Sequence, residues 1–118
     1  MTPAAHIAAA IEILDLILAG ENAENSLTKW GRSNRFAGSG DRHAIRDVVF
    51  DALRQKNSLT KRSKKISGRS WIIALLEKRE VNLDEYFGVS KYGPAKIKKW
   101  ELNFLSIENE SDSHDIPD

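Results

Sequence analysis

The chain has 118 residues, which is enough for one domain with its own hydrophobic core and too few for two ordinary domains. Hydrophobic residues make up 41% of it and charged residues 30%, a composition that excludes a wholly disordered chain. The absence of cysteine excludes disulfides and cysteine-ligated zinc. Because the net charge is only +1, any affinity for nucleic acid must come from the distribution of the charges.

The first helix is predicted to start at Thr2, with Pro3 as its first helical residue. Its apolar stripe is wide enough to predict a central helix, and it consists of Ile7, Ala10, Ile11, Ile13, Leu14, Ile17 and Leu18. Gly20 suits the position that ends this helix, and residues 21–30 favour a second short helix closed by Gly31. The apolar stretch is interrupted by acidic residues and is shorter than the roughly 20 residues of a bilayer span, so we expect no membrane insertion.

Residues 32–40 lack apolar periodicity and are predicted to form a loop, with Ser39 or Asp41 capping the helix that follows. Residues 41–54 then carry the most regular helical stripe of the chain, formed by Ile45, Val48, Val49, Ala52 and Leu53. The next stretch, residues 55–68, is polar and basic without an acidic residue, which is compatible with either a loop or a surface helix.

Ser67 or Ser70 is predicted to open a helix whose apolar side packs on the first helix, and whose charged end is residues 77–80. Another helical turn is predicted at residues 83–87, ended by Gly88, followed by an amphipathic piece around Ile97, Trp100 and Leu105. No segment alternates as a strand does, so the sequence predicts an all-α bundle of about five to six helices. It fills residues 1–107, and residues 108–118 have the composition of an acidic tail or linker.

The residues RFAGSGDR at 35–42, continued by IRD at 45–47 and VFDALR at 49–54, are similar to the signature of a known family. They resemble the NusB-like helical domains that precede RsmB-type (Sun/Fmu) ribosomal-RNA cytosine-5 methyltransferases. The similarity extends from residues 11–14 and Trp30 to residues 92–95 and a closing DIPD at 115–118, and thus covers most of the chain. The lysine-rich residues 58–66 depart from the small, alanine-containing segment expected of relatives.

This resemblance implies a NusB-like bundle that binds ribosomal RNA and helps a linked methyltransferase domain engage its substrate. It implies that S-adenosylmethionine and the catalytic cysteines belong to that second domain, at whose junction this chain stops, so we expect a fragment or a stand-alone domain. A cysteine thiolate is the nucleophile of that chemistry, so we assign no catalytic residue and no cofactor site to this chain. A cytoplasmic location is compatible with these features.

Arg42, Arg46, Phe50 and Arg54 are each four residues apart and therefore form a ridge along one helix, beside its apolar stripe. Guanidinium groups bind phosphate through paired hydrogen bonds and stack on bases, so this ridge is a candidate RNA-binding surface. The alternative is local pairing, since Asp51 lies three residues before Arg54, and Phe50 is equally compatible with a core position.

A second group of candidate RNA-binding cations follows directly after this helix. Neutralising phosphates with release of counterions is the usual source of such affinity, although basic runs are often only solvated surface. The candidates in this group are Lys56, Lys61, Arg62, Lys64 and Lys65.

Other patterns carry weaker signals. Residues 38–40 place Gly-Ser-Gly at a helix start, which favours a capping turn over a phosphate loop, because a dinucleotide fingerprint needs glycine where His43 stands. The three histidines share no metal-ligand spacing, so we expect no metal. Trp30, Trp71 and Trp100 lie on or near apolar stripes and are interpreted as core residues.

Two alternatives to the RNA-binding methyltransferase module stay open. The first is a stand-alone NusB-like antitermination factor, which binds RNA together with a protein partner. The second is a protein-packing module without RNA affinity, whose helices dock on the catalytic domain and whose cations only keep the surface soluble.

Overall fold

A computed structural model describes residues 1–98 and residue 101, and it confirms the predicted all-α bundle. The helices are α1 (Pro3–Leu18), α2 (Ala23–Ser33), α3 (Ser39–Arg54), α4 (Lys56–Ser63) and α5 (Gly68–Lys78), followed by a 3-10 turn at Leu83–Glu85. No strand is present among the described residues. Outside these residues lie the predicted tail at residues 108–118 and Trp100. The predicted last amphipathic piece also lies outside them beyond residue 98, except for Glu101.

Helix α1 is the centre of the bundle and contacts α2, α3 and α5. The Thr2 hydroxyl accepts a hydrogen bond from the Ala5 N–H at 3.1 Å, which confirms the predicted cap. At the other end Gly20 has a φ of +117°, a conformation that glycine adopts without steric cost. The wide apolar stripe predicted from the sequence is matched by burial on several sides, with Ala10, Ile13 and Leu14 fully buried.

The boundary between α2 and α3 differs from the prediction. Gly31 does not close α2, which continues to Ser33. Gly31 is instead a buried residue inside the helix, at the place where the Arg42 side chain crosses it. Neither Ser39 nor Asp41 is the N-cap of α3, since that position belongs to Gly38. Asp41 contributes from inside the first turn, where its carboxylate accepts a hydrogen bond from the Gly38 N–H at 3.0 Å.

Asp41 also joins α3 to α1, because its carboxylate is 2.8 Å from His6 Nε2. The hydrogen bonds from His6 and from the Gly38 N–H hold the pKa of Asp41 below its usual value. Ionised Asp41 therefore stabilises the fold above its unfolded-state pKa of about 3.9, and this contribution is lost as the pH falls through the lower folded pKa.

We expect Asp41→Asn to be less stable than the wild type near neutral pH, with a difference that shrinks as the pH falls below about 4. Urea unfolding at a series of pH values measures this difference. A deficit of the same size at every pH would show that Asp41 acts through packing and not through its charge.

The lysine-rich stretch that the sequence left open between loop and helix forms α4. Leu59 and Ser63 are buried on its inner side, and the Trp71 indole N–H donates to the Thr60 hydroxyl at 2.8 Å. Lys64 ends the helix in the left-handed region at φ +56°. Helix α4 therefore folds because it packs on α5 and buries its one apolar side chain, although its own sequence is strongly polar.

Of the two predicted caps of α5, Ser67 and Ser70, the structure has Ser67, whose hydroxyl accepts a hydrogen bond from the Ser70 N–H at 3.1 Å. Residues 71–76 of α5 are all buried, and the helix packs on α1 as predicted. Gly68 comes so close to α1 that its N–H donates to the Asp15 carboxylate at 2.8 Å. Trp30 and Trp71 belong to the same core, as expected.

The chain after α5 returns along the bundle. The predicted turn near residues 83–87 is present as the short 3-10 helix, and Gly88 follows with φ +75°. Arg69 of α5 fixes the returning segment, because its guanidinium donates to the carbonyls of Ala95 and Lys96 and to the Glu101 carboxylate, at 2.9 to 3.2 Å. Within the described residues, no helix has the length and apolar character that crossing a membrane requires.

Candidate nucleic-acid interface

An open groove lies between α2 and the first half of α3, with a volume of about 870 Å³. Its floor is apolar and includes the buried side chains of Trp30, Ala37 and Ile45. Four arginines surround this floor, and we call the site the arginine groove. They are Arg32 and Arg35 from the end of α2 and the following loop, and Arg42 and Arg46 from α3.

The packing of α2 against α3 positions these side chains. Arg42 and Arg46 are one turn apart on α3 and therefore point toward the same side. A Cβ atom added at Gly31 would lie 3.7 Å from the Arg42 guanidinium carbon, so Arg42 reaches across from α3 to α2. Arg32 follows Gly31 directly, which brings guanidinium groups from both helices to one opening.

Arg46 has a partner in the groove. It donates two parallel hydrogen bonds to the Glu24 carboxylate, at 3.0 and 2.6 Å, and its guanidinium lies 4.9 Å from the centre of the Phe50 ring. These bonds lower the pKa of Glu24 and raise that of Arg46. Glu24 is the one acidic residue on the groove wall among the described residues.

The other three arginines of the groove differ from Arg46. Arg32, Arg35 and Arg42 are exposed, and their guanidinium groups make no hydrogen bond or ion pair with any residue that the structure describes. Their positive charges are therefore directed at solvent in a concave site. Such a site raises the local potential and attracts anions.

The predicted ridge on α3 divides between two environments. Arg42 and Arg46 lie in the arginine groove, whereas Arg54 is at the far end of the helix and 71% exposed. Arg54 pairs with Asp51 at 3.4 Å, as its spacing suggested. Burial raises the pKa of Asp51, but hydrogen bonds from Arg79 and Gln55 outweigh this effect and the net shift is downward.

The predicted cations of and after α4 form a separate surface, because α4 packs on α5 and adjoins only the C-terminal end of α3. The exposed members are Lys56, Lys61, Lys64 and Lys65. Arg62 is different, since it donates to the Glu77 carboxylate at 2.9 Å and is only 21% exposed. Arg62 thus ties α4 to α5.

No family model, curated protein or solved structure matches this chain.

The chemistry that the groove offers is anion binding by guanidinium groups. No group of three or more histidine, aspartate or glutamate side chains that could hold a metal ion occurs among the described residues. The Gly-Ser-Gly start of α3 serves as a capping turn, since the Gly38 N–H is already bound by Asp41. What remains is a concave, cationic surface with an apolar floor, whose arginines can each donate several hydrogen bonds.

Sequence reasoning missed half of the arginine groove. Arg32 and Arg35 lie in a stretch without periodicity, and only the packing of α2 on α3 brings them near Arg42. The available signal was the density of arginine around Gly31 and Gly38, with Arg32, Arg35 and Arg42 inside eleven residues. A pattern of that kind gives composition but no direction for the side chains.

Proposed function

We propose that this domain binds RNA through its phosphates in the arginine groove, and that it helps a linked methyltransferase domain engage ribosomal RNA. The observation that carries the proposal is the presence of three guanidinium groups without an acidic partner among the described residues, in one open groove. The resemblance of residues 35–54 to the NusB-like domains selects ribosomal RNA among possible polyanions.

The chemistry of the groove suits a phosphate chain. Guanidinium groups bind phosphate oxygens through two parallel hydrogen bonds, and the pairing loses less conformational freedom than lysine pairing does. The apolar floor at Trp30 and Ile45 can lie against a sugar or base edge, while the arginines around it contact successive phosphates. Methyl transfer itself, with S-adenosylmethionine, belongs to the linked domain in this proposal.

A filter-binding titration of a structured ribosomal-RNA fragment tests this proposal. Three to four phosphate contacts predict that the logarithm of the binding constant falls with the logarithm of salt concentration, with a slope of about −3. Removing one exposed α4 cation with Lys61→Gln is expected to reduce the affinity by less than about threefold, since this part of α4 lies apart from the groove. Binding that does not depend on salt, or no binding at low salt, would contradict the proposal.

Glu24 competes with a bound phosphate for Arg46, because its carboxylate already accepts a hydrogen bond from each of the two terminal nitrogens of that guanidinium. We expect Glu24→Gln to raise RNA affinity by about two- to fivefold at low salt, and the gain to fade as salt is added. Fluorescence anisotropy with a labelled RNA measures this change.

Glu21→Gln is the matched control, since it removes a carboxylate that pairs with Lys29 at 2.9 Å outside the groove. Equal gains from both variants would show that only net charge matters. A loss of affinity in Glu24→Gln would mean that Glu24 orients Arg46 for binding rather than competing for it.

The protein-packing alternative is favoured by a different surface. An apolar groove between α1 and residues 90–92 is flanked by Phe36 and Tyr92, which are 71% and 73% exposed. Exposed aromatic side chains of this kind are typical of protein interfaces. In this second candidate function, the surface docks on the methyltransferase domain that the resemblance implies, and binding to that domain is insensitive to salt.

A further inference from the structure

A second cluster of cations lies at the end of α3 that is remote from the arginine groove. There the ends of α3 and α5 and the start of α4 meet around the Asp51 carboxylate, and we call this place the α3–α5 corner. Asp51 accepts hydrogen bonds from Arg79 and from Arg54, the latter at 3.4 Å. Lys78 Nζ donates to Gln55 Oε1 at 2.6 Å, and Gln55 in turn donates to Asp51 at 2.8 Å.

The corner carries more positive charge than its own contacts neutralise. Three cations, Arg54, Lys78 and Arg79, are connected through a single carboxylate, and all three are exposed. Lys56 follows directly at the start of α4 and is also exposed. Side chains that bond to one another in this way are already ordered, so a bound anion costs them little further entropy.

The position of the corner along α3 connects it to the arginine groove. Arg42 and Arg54 are twelve residues apart on one helix, which corresponds to about 18 Å along its axis. At the roughly 3.4 Å axial spacing of phosphates in one strand of duplex DNA, five or six phosphates span that distance, and a single strand of twelve nucleotides is longer than it. Phe50 lies between the two sites, and it is not among the described side chains that pack against the core.

We infer that the α3–α5 corner is a second phosphate-binding surface, occupied by the same RNA strand that enters the arginine groove and runs along α3 past Phe50. The inference rests on the proposed function and adds a length requirement to it. An RNA too short to reach both ends of α3 uses one surface at a time, and a longer RNA uses both. The corner then contributes affinity only for the longer ligand, because its contacts become intramolecular once the groove is occupied.

The corner also has a purely structural explanation, which the experiment must separate from the inference. Arg54 and Lys78 lie in the last turns of α3 and α5, where cations stabilise a helix by interacting with its dipole. Under that explanation the corner affects stability and leaves RNA binding unchanged.

Two oligouridylates distinguish the explanations: a 5′-phosphorylated dinucleotide and a strand of twelve nucleotides. In Lys78→Gln/Arg79→Gln we expect affinity for the longer strand to fall about three- to tenfold and the salt slope to flatten by about 1.4. Affinity for the dinucleotide should change by less than about twofold. Lys91→Gln/Lys98→Gln removes the same charge from exposed positions outside both surfaces, and it should leave both affinities near the wild-type values.

Arg54→Gln gives an independent reading, because it removes an exposed side chain with one long ion pair and leaves the Arg79–Asp51 contact in place. It should lower the affinity for the longer strand and leave the affinity for the dinucleotide unchanged. One outcome is that both corner variants bind the longer strand as the wild type does, while Arg42→Gln lowers the affinity for both ligands. In that case the corner inference is wrong and the proposed function stands. If Arg42→Gln leaves both ligands unaffected, the groove itself is not the binding site.

Discussion

Replacing Arg32, Arg35 and Arg42 together by glutamine is expected to lower RNA affinity by about 100-fold, at roughly 1 kcal/mol for each lost contact. The reason is that these guanidinium groups have no hydrogen-bond or ion-pair partner among the described residues, so they are available to an external anion such as the phosphate of the proposed RNA. The slope of the salt dependence should become shallower by about two to three. Filter binding over a range of salt concentrations measures both quantities.

The fold should tolerate this triple replacement, because no hydrogen bond or ion pair of a described residue is lost with it. The corresponding lysine variants of Arg32, Arg35 and Arg42 keep the charge and lose the paired hydrogen bonds. They should retain most of the salt slope and lose about tenfold in affinity. A glutamine variant that binds RNA like the wild type, with an unchanged thermal midpoint, would remove the arginine groove from the binding surface.

Gly68→Ala is expected to destabilise the domain by about 2–4 kcal/mol. A Cβ atom at this position would lie 2.5 Å from the Ile11 carbonyl oxygen and 2.8 Å from the Asp15 carboxylate. Helix α5 would have to move away from α1, which also breaks the hydrogen bond from the Gly68 N–H to Asp15. In a domain of this size the thermal midpoint should fall by about 10 °C or more.

Gly40→Ala is the matched control for this prediction. Gly40 also lies in the first turn of a helix, but nothing stands within 4 Å of the position of its missing Cβ. Because alanine is the better helix former, Gly40→Ala should be neutral or stabilising by up to about 1 kcal/mol. Equal losses at Gly40 and Gly68 would show that the contact between α5 and α1 is not the cause.

The sequence predicts those elements whose signals are local. The caps at Thr2 and Ser67 and the apolar stripes of α1, α3 and α5 all depend on residues within a few turns of each other, and the structure confirms them. The prediction that Gly31 closes α2 is wrong because a glycine at a helix end and a glycine at a helix crossing look the same in a sequence. Only the neighbouring Arg42 side chain shows which of the two it is.

The candidate site was less accessible to prediction because its contacts are tertiary. The spacing of Arg42 and Arg46 placed them on one side of a helix, but it could not show that Glu24, twenty-two residues earlier, binds Arg46. Arg79 and Asp51 likewise meet only through the packing of α5 near the end of α3. Periodicity identifies the helix that carries a side chain and the side of that helix on which it lies. The residues of other helices that it contacts are set only when the bundle is assembled.

An NMR titration of the labelled domain with a structured ribosomal-RNA fragment tests the RNA-binding proposal most directly. Phosphate binding in the arginine groove predicts that backbone amide shifts change at residues 31–35 and 39–46, saturate together, and disappear when salt is raised. Changes confined to the surface around Phe36 and Tyr92, or no changes at low salt, would contradict the proposal.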